Sequence, residues 1–131
     1  VGKGPCEKSL VERQEINVAC RVRFFKDLSR KELLQKYVNS DVFVLLSKHE
    51  AFGISVAEAL SAKIPCILAN TSALKEWIDN ENCFGVNYPI EVGELSRLIT
   101  EVIGRKVCHI DLWTWKDVVE KLTDLYKDLQ D

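Results

Sequence analysis

The chain has 131 residues, 47% hydrophobic and 29% charged, which suits one globular domain with a core of its own. The formal net charge of −2 argues against a broad nucleic-acid surface, so we expect no nucleic-acid partner. No apolar run approaches the roughly 20 residues that span a bilayer. We therefore expect any membrane association to come from parts of the protein outside this chain.

The first half of the chain alternates helix and strand patterns. Residues 7–15 resemble a helix, and residues 18–25 are rich in the β-branched and aromatic side chains typical of strands. Ser29 and Glu32 have capping-box spacing at the start of a helix predicted over residues 30–39. That helix has one apolar face, formed by Leu33, Leu34, Tyr37 and Val38. Residues 41–46 are apolar throughout, which predicts a parallel strand buried on both faces.

The second half continues this alternation. Helices are predicted from Gly53 to about residue 62 and over residues 73–78, 92–103 and 114–129, with strands over residues 65–69 and 84–88. Two helices have apolar stripes: Leu95, Leu98, Ile99, Val102 and Ile103 in one, and Trp115, Val118, Val119, Leu122, Leu125, Tyr126 and Leu129 in the other. We expect the second stripe to pack in the core. The alternation predicts an α/β fold, a Rossmann-like parallel sheet with helices on both faces.

The five cysteines form no Cys-x-x-Cys pair, and their number is odd. Cys20 and Cys66 lie in apolar runs, where cysteine behaves as a small buried hydrophobe. We interpret the cysteines as reduced thiols, which predicts a cytoplasmic protein, including one at the inner membrane surface. A zinc site built on Cys108 and His109 with distant ligands is the alternative.

The candidate chemistry lies in residues 47–60, where a strand, a glycine turn and a helix start follow one another. Amides at a helix start attract anions, and Gly53 lets an anion approach closely. Glu50 and Glu58 lie eight residues apart across this glycine. Glu58 is interpreted either as a partner for a ribose diol or as a carboxylate that reaches solvent or a lysine. Glu50 is interpreted either as a contact for sugar hydroxyls or as a charge that stabilises the helix dipole.

The segment from Glu50 to Glu58 resembles the E-x7-E motif of glycosyltransferase family 4, whose members are retaining enzymes of the GT-B fold. The resemblance covers most of the chain, in order. Residues 1–5 resemble the family's glycine loop, residues 22–28 its next strand and base-contacting turn, and residues 58–67 its helix and Pro-led strand. Glu76 and residues 82–89 resemble its later Glu and Phe-Gly-Val segment.

The resemblance implies that residues 1–131 form the single Rossmann-like donor-binding half of a GT-B enzyme. We expect the first strand and the N-terminal domain, which binds the acceptor sugar, lipid or other hydroxyl compound, to lie upstream. Glu50 is implied as the catalytic residue at the donor sugar, with no metal and no cofactor. The residues implied to bind a UDP- or GDP-sugar are Gly2, Gly4, Leu28, Ala51, Phe52, Gly53, Ile54 and Glu58.

The chain departs from the family pattern at two glycine positions. Lys63 stands at the end of the motif helix, where we expect the left-handed conformation, and Ser72-Ala73 replace a glycine pair. The alternatives to a retaining glycosyltransferase are a non-catalytic GT-B-like subunit that binds a partner, a glycogen-synthase-like transferase and a nucleotide-sugar epimerase. The isolated chain is expected to be inactive, because the acceptor half is missing.

Overall fold

A computed structural model of the chain describes residues 22–108 and 110–129. The chain divides into two compact units, Val1–Lys36 and Tyr37–Asp131. Several predictions lie outside the described residues: the glycine loop with Gly2 and Gly4, the helix over residues 7–15, the first part of the strand over residues 18–25, Cys6, Cys20 and His109.

In the first unit, the described residues contain the start of helix α1, Arg30–Val38. The predicted capping box is confirmed, because the Ser29 amide donates to the Glu32 carboxylate at 2.8 Å and the Glu32 amide donates to the Ser29 hydroxyl at 3.4 Å. The strand predicted to end at residue 25 is wrong in its described part, since residues 22–25 have no strand structure. Val22 and Phe24 are exposed there, and β-propensity without a packed face does not make a strand.

The second unit is built on a parallel sheet, as the alternation predicts. Its described strands are β1 (Phe43–Leu45), β2 (Cys66–Ala69) and β3 (Cys83–Val86), in that spatial order. Both pairings are parallel, with Cys66 opposite Phe43 on one side and Cys83 on the other. The predicted α/β fold with a Rossmann-like parallel sheet is confirmed.

Helices pack against this sheet. On one face, Ile67, Phe84 and Val86 pack with Val102 of helix α3, Val92–Val102. Helix α2, Ile54–Ser61, contacts β1 and β2, and its buried residues are Val56, Ala59 and Leu60. Of the α3 stripe, Val102 is buried and Leu95, Leu98 and Ile99 are partly buried. The predicted helix end at residue 103 is one residue too late, and Ile103, just beyond the helix, is 55% exposed.

The continuous apolar run of residues 41–46 predicts a strand buried on both faces. The structure shows otherwise. Val44 is 38% exposed, whereas every residue of β2 is buried. The reason is position, since β1 lies at the edge of the described sheet and β2 at its centre. An apolar run predicts a strand, but not its place in the sheet.

The last helix, α4, spans Trp115–Asp128 and begins with a capping box between Thr114 and Asp117. The expected core packing of its apolar stripe is wrong. None of its residues is buried, and Trp115 is 85% exposed. The periodicity identifies the apolar face of an amphipathic helix but not a surface that covers it. Among the described residues, no helix combines the length and the apolar character that crossing a membrane requires.

The described cysteines, Cys66, Cys83 and Cys108, are free thiols, as predicted. Cys66 and Cys83 are buried partners in neighbouring strands. The hydrogen bond with the Cys83 thiol and burial both raise the pKa of Cys66, so this cysteine stays a neutral thiol packed in the sheet. Its role in the structure is that of a small apolar side chain.

Candidate functional site

The turn between β1 and α2 requires a glycine. Gly53 is buried and has a φ of 92°, in the left-handed region that side chains disfavour. A Cβ atom at this position would lie 3.3 Å from the Trp77 Nε1 atom, 3.3 Å from the Val56 side chain and 3.4 Å from the Leu74 side chain. The predicted sequence of strand, glycine turn and helix is therefore observed, and both backbone conformation and packing explain the glycine.

The start of α2 presents backbone N–H groups. The Gly53 carbonyl accepts the first helical hydrogen bonds, from the amides of Val56 at 2.8 Å and Ala57 at 3.3 Å. No side chain caps the helix start. In the part of the chain that the structure describes, the amides of Phe52, Gly53 and Ile54 donate no hydrogen bond to a protein acceptor. Phe52 and Ile54 are 59% and 69% exposed, and the positive end of a helix attracts anions.

Glu58 lies in the second turn of α2 and is half-buried. Its carboxylate accepts a hydrogen bond from the Tyr37 hydroxyl at 3.2 Å. The same hydroxyl lies 3.4 Å from the Ser55 carbonyl, and the Tyr37 ring packs on Phe43 with its centroid 5.8 Å away. Sequence reasoning anticipated that Glu58 needs a partner but did not identify Tyr37, which it assigned to an apolar face. The signal in the sequence was the tyrosine on that apolar face, because the hydroxyl of a buried tyrosine usually has a hydrogen-bond partner.

Glu50 is half-buried in the loop formed by residues 47–53, which we call the motif loop. Its backbone amide donates to the Ser72 hydroxyl at 2.9 Å. The neighbouring Thr71 hydroxyl donates to the Ser47 carbonyl at 2.9 Å. The sequence indicates Ser72 as a departure from a glycine pair, and it gives no signal for the hydroxyl contacts of Thr71 and Ser72. The loop that follows β2 therefore holds the loop that follows β1.

A short 3₁₀ helix, Ser72–Trp77, stands where a helix over residues 73–78 was predicted. The Trp77 indole N–H donates to the Phe52 carbonyl at 2.7 Å. The rings of Trp77 and Phe52 meet edge to face, with centroids 5.4 Å apart and an interplanar angle of 79°. Sequence reasoning missed Trp77, because nothing in the local pattern relates it to a loop 25 residues earlier.

Both departures from glycine occur at left-handed backbone positions. Lys63 has a φ of 62° and Ser72 a φ of 40°. Lys63 ends α2 in a Schellman motif, in which its own amide donates to the Leu60 carbonyl at 2.9 Å and the Ile64 amide donates to the Ala59 carbonyl at 3.0 Å. The prediction that Lys63 takes a conformation costly for a side chain is confirmed.

Other polar groups lie after the carboxyl ends of the three strands. Lys48 follows β1, and its ammonium lies 5.7 Å from the ring centroid of Tyr88, which follows β3. The Asn70 side chain, after β2, donates to the Asn87 side chain at 3.3 Å. Ligands of parallel sheets bind beyond the carboxyl ends of strands, so these groups share the edge that carries Glu50.

The remaining predicted residues are placed as follows. Ala51 is exposed in the motif loop. Leu28 is half-buried in the first unit, and its proposed contact with a base stays a prediction. Gly2 and Gly4 lie outside the described residues. Within residues 22–108 and 110–129, no three His, Cys, Asp or Glu side chains are grouped to hold a metal ion.

Two comparisons with known proteins bear on this site. A family model described as "Glycosyl transferases group 1" matches residues 1–106, a range that includes every predicted site residue and ends just after α3. The sulfoquinovosyl transferase SQD2 of Arabidopsis thaliana is 26% identical over 102 residues. This alignment covers 78% of the present chain and 19% of the plant protein, so the chain spans about a fifth of the length of that relative.

Proposed function

Because the chain belongs to the family of group 1 glycosyl transferases, we propose that it forms the donor-binding domain of a retaining, family 4 glycosyltransferase. The donor is a nucleoside-diphosphate sugar, with UDP or GDP as the nucleotide. The similarity to a sulfoquinovosyl transferase supports sugar transfer as the reaction class. The acceptor hydroxyl is bound by parts of the enzyme that lie outside this chain.

One observation carries the proposal: a half-buried carboxylate, open helix-start amides and a second half-buried carboxylate follow each other within nine residues, Glu50 to Glu58. The segment begins just after a parallel strand, where ligands of such sheets bind. Amides of Phe52, Gly53 and Ile54 suit a diphosphate, since backbone N–H groups at a helix start bind anions without a side-chain charge. Lys48, exposed after the same strand, adds a positive charge at this edge.

Glu58 is proposed to bind the ribose. An ionised carboxylate accepts several hydrogen bonds, so the bond from Tyr37 is compatible with two further donors from a diol. The hydrogen bond from Tyr37 also restricts the rotamers of Glu58, which lowers the entropy cost of ordering this side chain when a ligand binds.

Glu50 is proposed to bind hydroxyls of the donor sugar and to hold the sugar against the attacking acceptor. In a front-face reaction, the bond between the anomeric carbon and the diphosphate oxygen breaks while the acceptor oxygen bonds to the same face. The acceptor proton passes to the departing phosphate oxygen. The role of this domain is to stabilise the charge that develops on the diphosphate, through fixed amide dipoles. Glu50 is assigned no covalent role, and the reaction is proposed to need no metal.

The proposal is tested with Glu58→Gln and Glu50→Gln, and with Glu120→Gln as a control on the exposed surface of α4. Calorimetry with UDP and GDP measures nucleotide binding. Transfer from UDP-glucose, GDP-mannose and UDP-sulfoquinovose by the intact protein measures activity, and NMR identifies the anomer formed. Glu58→Gln should weaken nucleotide binding about tenfold or more, and Glu50→Gln should chiefly lower kcat.

Four results would contradict the proposal or part of it. Wild-type behaviour of both variants would remove the site assignment. Absence of binding with every nucleotide would favour a non-catalytic subunit that binds a protein partner. Conversion of a UDP-sugar without any acceptor would favour an epimerase. An inverted anomer would keep the transferase but reject the retaining mechanism.

A further inference from the structure

We propose that Thr71, Ser72 and Trp77 are positioning residues that hold the backbone of the motif loop and thereby place Glu50 for reaction. We call these three side chains the brace. The inference rests on the proposed function for its catalytic consequence, but its structural part stands on contacts of the second unit alone. None of the three side chains is assigned to contact the donor or the acceptor.

The brace reaches the motif loop at three points. The Thr71 hydroxyl donates to the Ser47 carbonyl at 2.9 Å, near the end of β1. The Ser72 hydroxyl accepts the Glu50 amide at 2.9 Å, in the middle of the loop. The Trp77 indole donates to the Phe52 carbonyl at 2.7 Å, beside the glycine turn. Because the three bonds are spread over six residues, they restrain the loop along its whole length.

Ser72 occupies a conformation that is unfavourable for its side chain. Its φ of 40° lies in the left-handed region, where glycine avoids the strain that a Cβ causes. Glycine, however, has no hydroxyl to accept the Glu50 amide. Strain that persists at one residue points to a function for its side chain, and here the side chain bonds to the backbone of the candidate catalytic residue.

The contact also decides which groups of the loop are available to a ligand. Since the Glu50 amide donates to the Ser72 hydroxyl, it already has a protein acceptor and is not available to a ligand. The loop therefore offers a ligand the carboxylate of Glu50 and the later amides of Phe52 to Ile54. Trp77 completes this arrangement, because its indole lies 3.3 Å from the position of a Cβ on Gly53 and closes the space beneath the turn.

The three side chains of the brace do not serve mainly to fill the hydrophobic core. Ser72 is exposed, and Thr71 and Trp77 are only half-buried. Leu74, in the same 3₁₀ helix, is fully buried and supplies the hydrophobic contact of this segment. The polar side chains of the segment thus have a separate task, which is to bond to the loop.

Ser72→Gly separates positioning from stability. The variant relieves the left-handed strain and removes the hydroxyl, so we expect the melting temperature to stay equal or rise while kcat falls about tenfold. The KM for the sugar donor should stay within about twofold, because the nucleotide contacts are unchanged. Lys63→Gly is the matched control: it relieves a similar strain at φ 62° and should leave kcat unchanged. Thr71→Val, which removes a hydroxyl at constant shape, should also lower kcat.

Hydrogen exchange of the Glu50 amide, followed by NMR, tests the brace without any assay of transfer. Ser72→Gly should speed exchange of this amide about tenfold, and Lys63→Gly should not. Unchanged exchange in Ser72→Gly would overturn the brace even if the enzyme transfers sugar. Faster exchange with unchanged kcat would overturn the positioning role. If the wild-type protein transfers no sugar, the proposed function and the positioning role fail together, and exchange still decides whether the brace holds the loop.

Discussion

The Tyr37 hydroxyl donates a hydrogen bond to the Glu58 carboxylate at 3.2 Å, across 21 residues of sequence. Tyr37 is 8% exposed, so its ring is held in place by packing, including the tilted contact with Phe43. A fixed donor therefore orients a half-buried carboxylate on α2. This relationship makes Glu58 part of a prearranged site and not a freely rotating surface glutamate.

Tyr37→Phe removes this donor and keeps the ring. We expect the affinity for UDP or GDP to fall about three- to tenfold, because Glu58 loses its orientation, and the free energy of unfolding to fall by about 1 kcal/mol. Calorimetry and urea unfolding measure the two effects. Tyr126→Phe, on the exposed face of α4, is the control. Equal affinities for Tyr37→Phe and this control would contradict the role of Tyr37.

Gly53→Ala places a side chain at φ 92° and within 3.3 Å of both Trp77 and Val56. We expect the free energy of unfolding to fall by about 1–3 kcal/mol, with loss of nucleotide binding. Gly93→Ala is the opposite case, since this position in α3 has nothing within 4 Å of an added Cβ. That variant should be stabilised by about 0.5–1 kcal/mol, because alanine favours helix. Thermal unfolding of both variants measures these two changes in stability, and a change of the same sign in both would contradict the explanation.

Lys63→Gly should increase the free energy of unfolding by up to about 1 kcal/mol. The gain in relieving the left-handed conformation at φ 62° exceeds the entropy that glycine adds to the unfolded chain. Lys75→Gly, within the 3₁₀ helix and without a positive φ, should instead be destabilised. Urea denaturation of the pair tests the conformational explanation, which fails if both changes have the same sign.

Leu125→Ala should change the free energy of unfolding by no more than about 0.5 kcal/mol, since Leu125 is 53% exposed on α4. Leu74→Ala is the matched variant at a fully buried site and should cost about 2–5 kcal/mol. Chemical denaturation of this chain compares them. A cost of several kcal/mol at Leu125 would mean that the α4 stripe packs within the chain after all.

The hydrogen bonds of Asp79 predict that the free energy of unfolding depends on pH. Its Oδ1 atom accepts the amides of Glu81 at 2.9 Å, Asn82 at 2.8 Å and Cys83 at 2.8 Å. Partial burial by itself raises the pKa of Asp79, but these amide hydrogen bonds outweigh it and hold the pKa below the ordinary value of 3.8. In the unfolded chain the carboxyl binds its proton more readily, so the stabilisation is present above that value and is lost as the pH falls below it.

Asp79→Asn keeps a carbonyl oxygen but removes the titrating group. We therefore expect the free energy of unfolding of the wild type to fall more steeply than that of the variant between about pH 5 and pH 2. Urea titrations at several pH values measure the two slopes. Glu32 and Asp117 also have lowered pKa values, because hydrogen bonds from Ser29 and Thr114 favour their charged forms, so the variant keeps part of the dependence. Parallel slopes would contradict the role assigned to Asp79.

Much of the described structure could be predicted from local pattern. The capping box of Ser29 with Glu32 forms where two residues three apart have matching groups. The glycine turn at Gly53 and the parallel strands were predicted from the same short-range information. The site assignments of Glu50 and Glu58 stay predictions, but the structure places both at the expected loop and helix.

The sequence by itself determined most of the described helices and strands, where α2 begins and the left-handed conformation of Lys63 at its end, because these depend on groups within a few residues of each other. Only the tertiary structure decided that Tyr37 bonds to Glu58, that Ser72 and Trp77 hold the motif loop, and that the apolar stripe of α4 stays exposed. The contacts of Tyr37, Ser72 and Trp77 join residues more than 20 positions apart. The exposure of the α4 stripe depends on whether another surface covers that helix. The path of the folded chain sets both, and no local pattern encodes that path.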